Sequence, residues 1–79
     1  MKKEYRNESG QYHRIDGPAV EYSNGSKEWY INGKLHRENG PAIILGNGVK
    51  CWFLNDIEYT EEEYQNELIK LKLNRLRNL

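Results

Sequence analysis

Residues 12–34 read "YHRIDGPAVEYSNGSKEWYINGK", and residues 35–57 read "LHRENGPAIILGNGVKCWFLNDI". Aligned at a period of 23, they share His13/His36, Arg14/Arg37, Gly17/Gly40, Pro18/Pro41 and Ala19/Ala42. They also share Asn24/Asn47, Gly25/Gly48, Lys27/Lys50, Trp29/Trp52 and Asn32/Asn55, with Tyr30 matched by Phe53. Self-similarity at a fixed period marks a repeat architecture, in which each unit buries its apolar side against the next. A degenerate half-unit precedes the pair, with Ser9-Gly10 where Asn32-Gly33 stands later. A third unit starts at Asn55-Asp56 and then diverges.

Each unit is punctuated for β-hairpins. Asn-Gly lies between β-branched or aromatic runs in "SNGS", "INGK" and "GNGV". This dipeptide suits a two-residue type I′ turn, where both central residues need positive φ. Pro18 and Pro41 belong at strand starts, because proline cannot donate to a ladder. With two-residue turns the register follows by counting: Val20 faces Trp29, which faces His36, and Ala19 faces Tyr30, which faces Leu35. Glu21, Glu28 and Arg37 fall in one row. The second unit gives Ile43–Trp52–Tyr59 on one side and Ala42–Phe53 on the other. A one-residue bulge would exchange the faces.

The last segment changes period. In residues 60–79, "TEEEYQNELIKLKLNRLRNL", Thr60 and Glu63 form a capping box. Glu61, Glu62 and Glu63 open the helix, and Lys70, Lys72, Arg75 and Arg77 lie towards its end, both complementing the helix dipole. Tyr64, Leu68 and Leu71 make one apolar stripe; Ile69, Leu73 and Leu76 make a second. The expected fold is therefore mainly β with one helix, an α+β class. It is a twisted antiparallel meander of repeated hairpins in residues 6–59, followed by an amphipathic helix over 60–79. Residues 1–79 read as one domain. One helix covers one sheet face, which leaves apolar surface over.

The totals narrow the functional classes. The chain has 79 residues, with twelve Lys plus Arg balancing twelve Asp plus Glu. Residues 1–59 carry eight of each sign and residues 60–79 four of each, so no basic field favours non-specific nucleic-acid binding. Cys51 is the sole cysteine and only two histidines are present. An intrachain disulfide is excluded, and a four-ligand zinc site would need carboxylates or a second subunit. No apolar run reaches the roughly 18 residues of a membrane span. The opening "MKKEYRNESG" lacks the apolar core of a secretory signal. A cytoplasmic protein without membrane, metal or cofactor is expected.

The 23-residue period, with its turn glycine, strand-end aromatics and His-containing linker, resembles the MORN repeat over residues 6–59, about two and a half units. Gly-Pro-Ala replaces the usual Gly-x-Gly, and His-Arg the frequent His-Gly. "NGKLHRENGPA" and "Tyr59-Thr60-Glu61-Glu62-Glu63-Tyr64" are similar to a divergent variant found in small proteins of bacteriophages and large DNA viruses. The resemblance implies a binding or scaffolding module rather than an enzyme. In a phage it implies an inhibitor or modulator of a host or anti-phage defence protein. A fold alone does not fix a function.

Several residues look chemical. The His-Arg pairs could be anion clamps, or a base beside a guanidinium. Alternatively His36 packs on Trp29 while Arg37 pairs with Glu28, and this structural reading accounts for the repetition. Trp29, Tyr30, Trp52 and Phe53 could stack on bases, but period-2 aromatics usually build core. Cys51 has no neighbouring base and reads as a buried or half-buried strand residue. No catalytic set is nameable. The candidates for partner binding are Arg14, Arg37, Tyr30, Phe53, Trp29, Trp52, Leu73, Arg75 and Leu76. Three readings follow: a protein-binding module; an RNA or DNA binder using the His-Arg pairs, aromatics and basic helix end; and a self-assembling repeat protein that forms a homodimer.

Overall fold

The computed structural model describes Met1–Arg77. The strands are β1 (Lys2–Glu4), β2 (Val20–Tyr22), β3 (Lys27–Glu28), β4 (Tyr30–Ile31), β5 (Lys34–Leu35), β6 (Ile43–Ile44), β7 (Lys50–Leu54) and β8 (Ile57–Tyr59). Helix α1 (Glu61–Arg77) follows. Strands β1-β2-β3-β6-β7-β8 form one sheet in that order, and β4-β5 form a second. All pairings between the strands are antiparallel. The chain thus forms the expected meander with a terminal helix; Asn78 and Leu79 lie outside the described residues.

The repeat is visible in the backbone hydrogen bonds. The Ala19 N–H donates to the Glu28 carbonyl at 2.8 Å, and the Ala42 N–H to the Cys51 carbonyl at 2.9 Å. Arg14 donates to Tyr30, and Arg37 to Phe53. Each donor and each acceptor recurs 23 positions on.

Two kinds of turn alternate along the chain. Asn32 and Gly33 both have positive φ (49° and 81°), as do Asn55 and Asp56 (51° and 68°). These are two-residue type I′ turns, and the expected pairs Tyr30–Leu35 and Trp52–Tyr59 form across them. At Asn24-Gly25 and Asn47-Gly48 only the glycine enters the left-handed region. There Gly25 N–H donates to the Tyr22 carbonyl and Tyr22 N–H to the Ser26 carbonyl; Gly48, Leu45 and Val49 repeat the pattern. This is a three-residue loop closed by a glycine bulge. The Asn24 side chain accepts the Ser26 N–H, and Asn47 the Val49 N–H, an arrangement that occupies the asparagine without positive φ.

The extra loop residue shifts the register by one. Val20 opposes Glu28 instead of Trp29, and Ile43 opposes Cys51 instead of Trp52. Ala19 and Ala42 bond to Glu28 and Cys51 rather than facing Tyr30 and Phe53. The expected row of Glu21, Glu28 and Arg37 does not form, since Glu21 opposes Lys27.

The core has two parts. Ala19, Val20 and Ala42 are fully buried within the sheet region. Leu54, Tyr64 and Leu68 form a cluster with Trp52, Tyr59 and Leu71 packed on it. The inner stripe of α1 is the one expected, Tyr64, Leu68 and Leu71. Its capping box is reciprocal: Thr60 N–H donates to Glu63 Oε1 at 2.9 Å, and Glu63 N–H to Thr60 Oγ1 at 3.2 Å. The two bulged turns touch at Gly46, where a Cβ would lie 2.2 Å from the Asn24 carbonyl oxygen. Only a residue without a side chain allows that approach, and Gly46 N–H donates to the nearly buried Ser26 hydroxyl there.

Candidate functional site

Each His-Arg segment builds the same loop. His13 Nδ1 accepts the Asn32 N–H at 2.9 Å, and His36 Nδ1 accepts the Asn55 N–H at 3.1 Å. Each asparagine opens a type I′ turn, so the imidazole holds the next turn in place. Accepting through Nδ1 puts the ring proton on Nε2. His36 Nε2 then donates to Glu38 at 2.7 Å.

The arginines curl back on their own loops. Arg14 donates to Asp16 and to the Pro18 carbonyl, both at 3.2 Å. Arg37 donates to Asn39 at 3.2 Å and to the Pro41 carbonyl at 3.0 Å. The guanidinium carbon of Arg14 sits 4.0 Å from the Tyr5 ring centroid, and that of Arg37 sits 3.8 Å from Trp29, a cation–π stack in each case. A Cβ on Gly17 or Gly40 would come within 3.1 or 2.9 Å of that carbon. The Arg-x-x-Gly-Pro spacing therefore makes a closed clamp. Burial lowers the Arg37 guanidinium below its ordinary value.

Two side-chain pairings differ from those expected. Arg37 does not meet Glu28, and His36 is held by Asn55 and Glu38 rather than resting on Trp29; only its backbone N–H bonds to the Trp29 carbonyl. The bulged turn moves Glu28 out of the row, where it accepts the hydroxyls of Tyr22 and Tyr30 at 3.2 and 3.1 Å. Burial and the adjacent Glu28 carboxylate push the Tyr30 phenol up.

The remaining candidates are dispersed. Trp52 lies under α1 with its ring 4.9 Å from that of Tyr64, inside the packed cluster. Trp29 and Tyr30 are half-buried in and beside β4, and Phe53 is half-buried opposite Glu58. Leu73 and Leu76 are 56% and 65% exposed and, with Ile69 at 57%, form a solvent-facing stripe. Arg75 reaches from α1 to Glu38 through two hydrogen bonds of 2.6 and 2.5 Å. That guanidinium, helped by His36, holds the Glu38 carboxyl at about 2, well below the usual carboxylate range.

A groove of about 900 Å³ runs between the two loops and the C-terminal half of α1. It brings Arg14, Arg37, Trp29 and Arg75 together with Leu71 of the inner stripe, and adds Ile15 and Ile31, which the sequence pattern does not single out. Ile15 is 83% exposed. Its signal was available: an isoleucine in the turn where the next repeat has Glu38.

Among the described residues, no group of three or more His, Cys, Asp or Glu is placed to hold a metal ion. No described helix is long and apolar enough to cross a membrane. Comparison with protein-family models, curated proteins and solved structures finds no match for this chain.

Proposed function

We propose that this chain is a small non-enzymatic protein-binding module, MORN-like in its repeat and phage-encoded, that modulates a host or defence protein by direct contact in the cytoplasm. The observation that carries the reading is the second stripe of α1. Ile69, Leu73 and Leu76 are more than half exposed while the helix is already anchored by Tyr64, Leu68 and Leu71. An apolar stripe of this kind costs solubility unless a partner covers it. The nucleic-acid reading is weaker, because Arg14 and Arg37 spend their donors within their own loops and Arg75 is neutralised by Glu38.

Affinity capture from lysates of candidate bacterial hosts tests this, run side by side with wild-type chain and Leu73→Glu/Leu76→Glu. One stoichiometric protein held by the wild type and lost by the variant supports the reading. No retained protein, with a wild-type sample that doubles its mass in light scattering, replaces it with self-assembly. Binding of nucleic acid that weakens steeply with salt replaces it with the RNA or DNA reading.

A further inference from the structure

The contacts that α1 makes with the second repeat define a seat. Tyr64 stacks on Trp52, donates its hydroxyl to the Arg37 carbonyl at 2.6 Å and receives the Gly40 N–H at 3.4 Å. Leu68 packs with Leu54, Tyr59 flanks the cluster, and Arg75 closes the far end on Glu38. Subtracting 23 from each sheet and loop position gives Trp29, Arg14, Gly17, Ile31, His36 and Ile15. All six line the groove over the first repeat. Among the described residues, the Arg14 carbonyl and the Gly17 N–H, counterparts of the two groups that Tyr64 satisfies, make no hydrogen bond.

We infer that this groove is a second helix seat, which receives an amphipathic helix from the partner protein in the way the second repeat receives α1. The inference rests on the protein-binding reading and gives it an address. The first repeat repeats the donor, the acceptor and the apolar floor, so the incoming helix presents a tyrosine, with aliphatic residues four and seven positions later. His36 takes the place of Tyr59 at the edge of that floor, and the change that selects the occupant is at the far end. Ile15 stands where Glu38 meets Arg75, so the residue eleven positions after the tyrosine is apolar, because a guanidinium set against isoleucine would lose water without gaining a partner. A second copy's α1 is thus a poor occupant, carrying Arg75 at that position.

A stapled peptide of residues 60–77 is the probe, in its native sequence and with Arg75→Leu, titrated by fluorescence anisotropy against the full chain. The Arg75→Leu peptide binds saturably at one site, about tenfold tighter than the native peptide, a ratio worth about 1.4 kcal/mol. Ile15→Glu in the full chain reverses the order; Ile15 is 83% exposed, so the change leaves the fold intact. Binding by neither peptide overturns the inference. So does a preference that Ile15→Glu leaves unchanged, which would place the peptide on the second repeat or on the outer stripe of α1. A stoichiometric partner in the capture experiment with no peptide binding removes the helix seat and leaves the protein-binding reading standing.

Discussion

Around His36 the loop is covered: Tyr64 bonds to it from above, Arg75 reaches Glu38, and Leu54 beneath is buried by α1. Around His13 the same loop is open, with Ile15 in solvent and Ile31 only half-buried. The histidine-to-turn bond and the arginine clamp are nevertheless the same in both. The loop plan is therefore set within the repeat by its own residues. The helix adds packing energy to one copy and leaves the other as surface.

Paired substitutions at equivalent positions sharpen this contrast. The largest difference is expected under the helix. Leu54→Ala destabilises by about 4 kcal/mol, since a well-buried leucine leaves a cavity, whereas Ile31→Ala costs about 1 kcal/mol because a half-buried side chain has less to lose. Urea unfolding of the two variants measures both, and equal costs would erase the distinction between the repeats. Next come Gly46 and its counterpart Ser23. Gly46→Ala forces a Cβ against the Asn24 carbonyl and costs about 3 kcal/mol; Ser23→Ala, on an exposed residue, changes the midpoint little.

A smaller difference separates the histidines. His36→Ala removes both the Asn55 bond and the Glu38 bond and costs about 2 kcal/mol, against about 1 kcal/mol for His13→Ala, which frees only the Asn32 N–H. The smallest effect is acid dependence at the far end of the seat. The folded Glu38 carboxyl lies below its ordinary value of 4.5, so its stabilising contribution is full above that value and is lost as pH falls towards about 2. Glu4 on β1, lowered by Arg6 and Lys2, acts with the same sign. The readout is therefore the difference between wild type and Glu38→Gln: the gap in Tm is present at pH 6 and closes by pH 2.

Much of this arrangement was legible in the residues. The 23-residue period, the type I′ turns at Asn32-Gly33 and Asn55-Asp56, the capping box and the inner stripe of α1 each follow from local chemistry. The register was legible only across the type I′ turns, because Asn-Gly fits both a two-residue turn and a three-residue loop with a glycine bulge. Asn24 and Asn47 take the second option through side-chain bonds two residues ahead, and every partner of β2 and β6 moves by one. The outer stripe of Leu73 and Leu76 could be read from helical spacing. The groove could not, since nothing in two repeats that share their loop and turn residues says which of them the helix will cover. Arg14 and Arg37 stand among the partner-binding candidates because the pattern shows charge but not the carbonyls of Pro18 and Pro41 that engage it.

The bond from each imidazole to the amide of the next turn is the feature on which both loops depend. Long-range ¹⁵N–¹H correlation of the two imidazole rings tests it most directly, because the clamp requires an unprotonated Nδ1 facing each turn amide. At neutral pH the Nε2–H tautomer is expected in both rings, together with slowed exchange of the Asn32 and Asn55 amide protons. An Nδ1–H tautomer in either ring, or amides that exchange as fast as those of open turns, would contradict it.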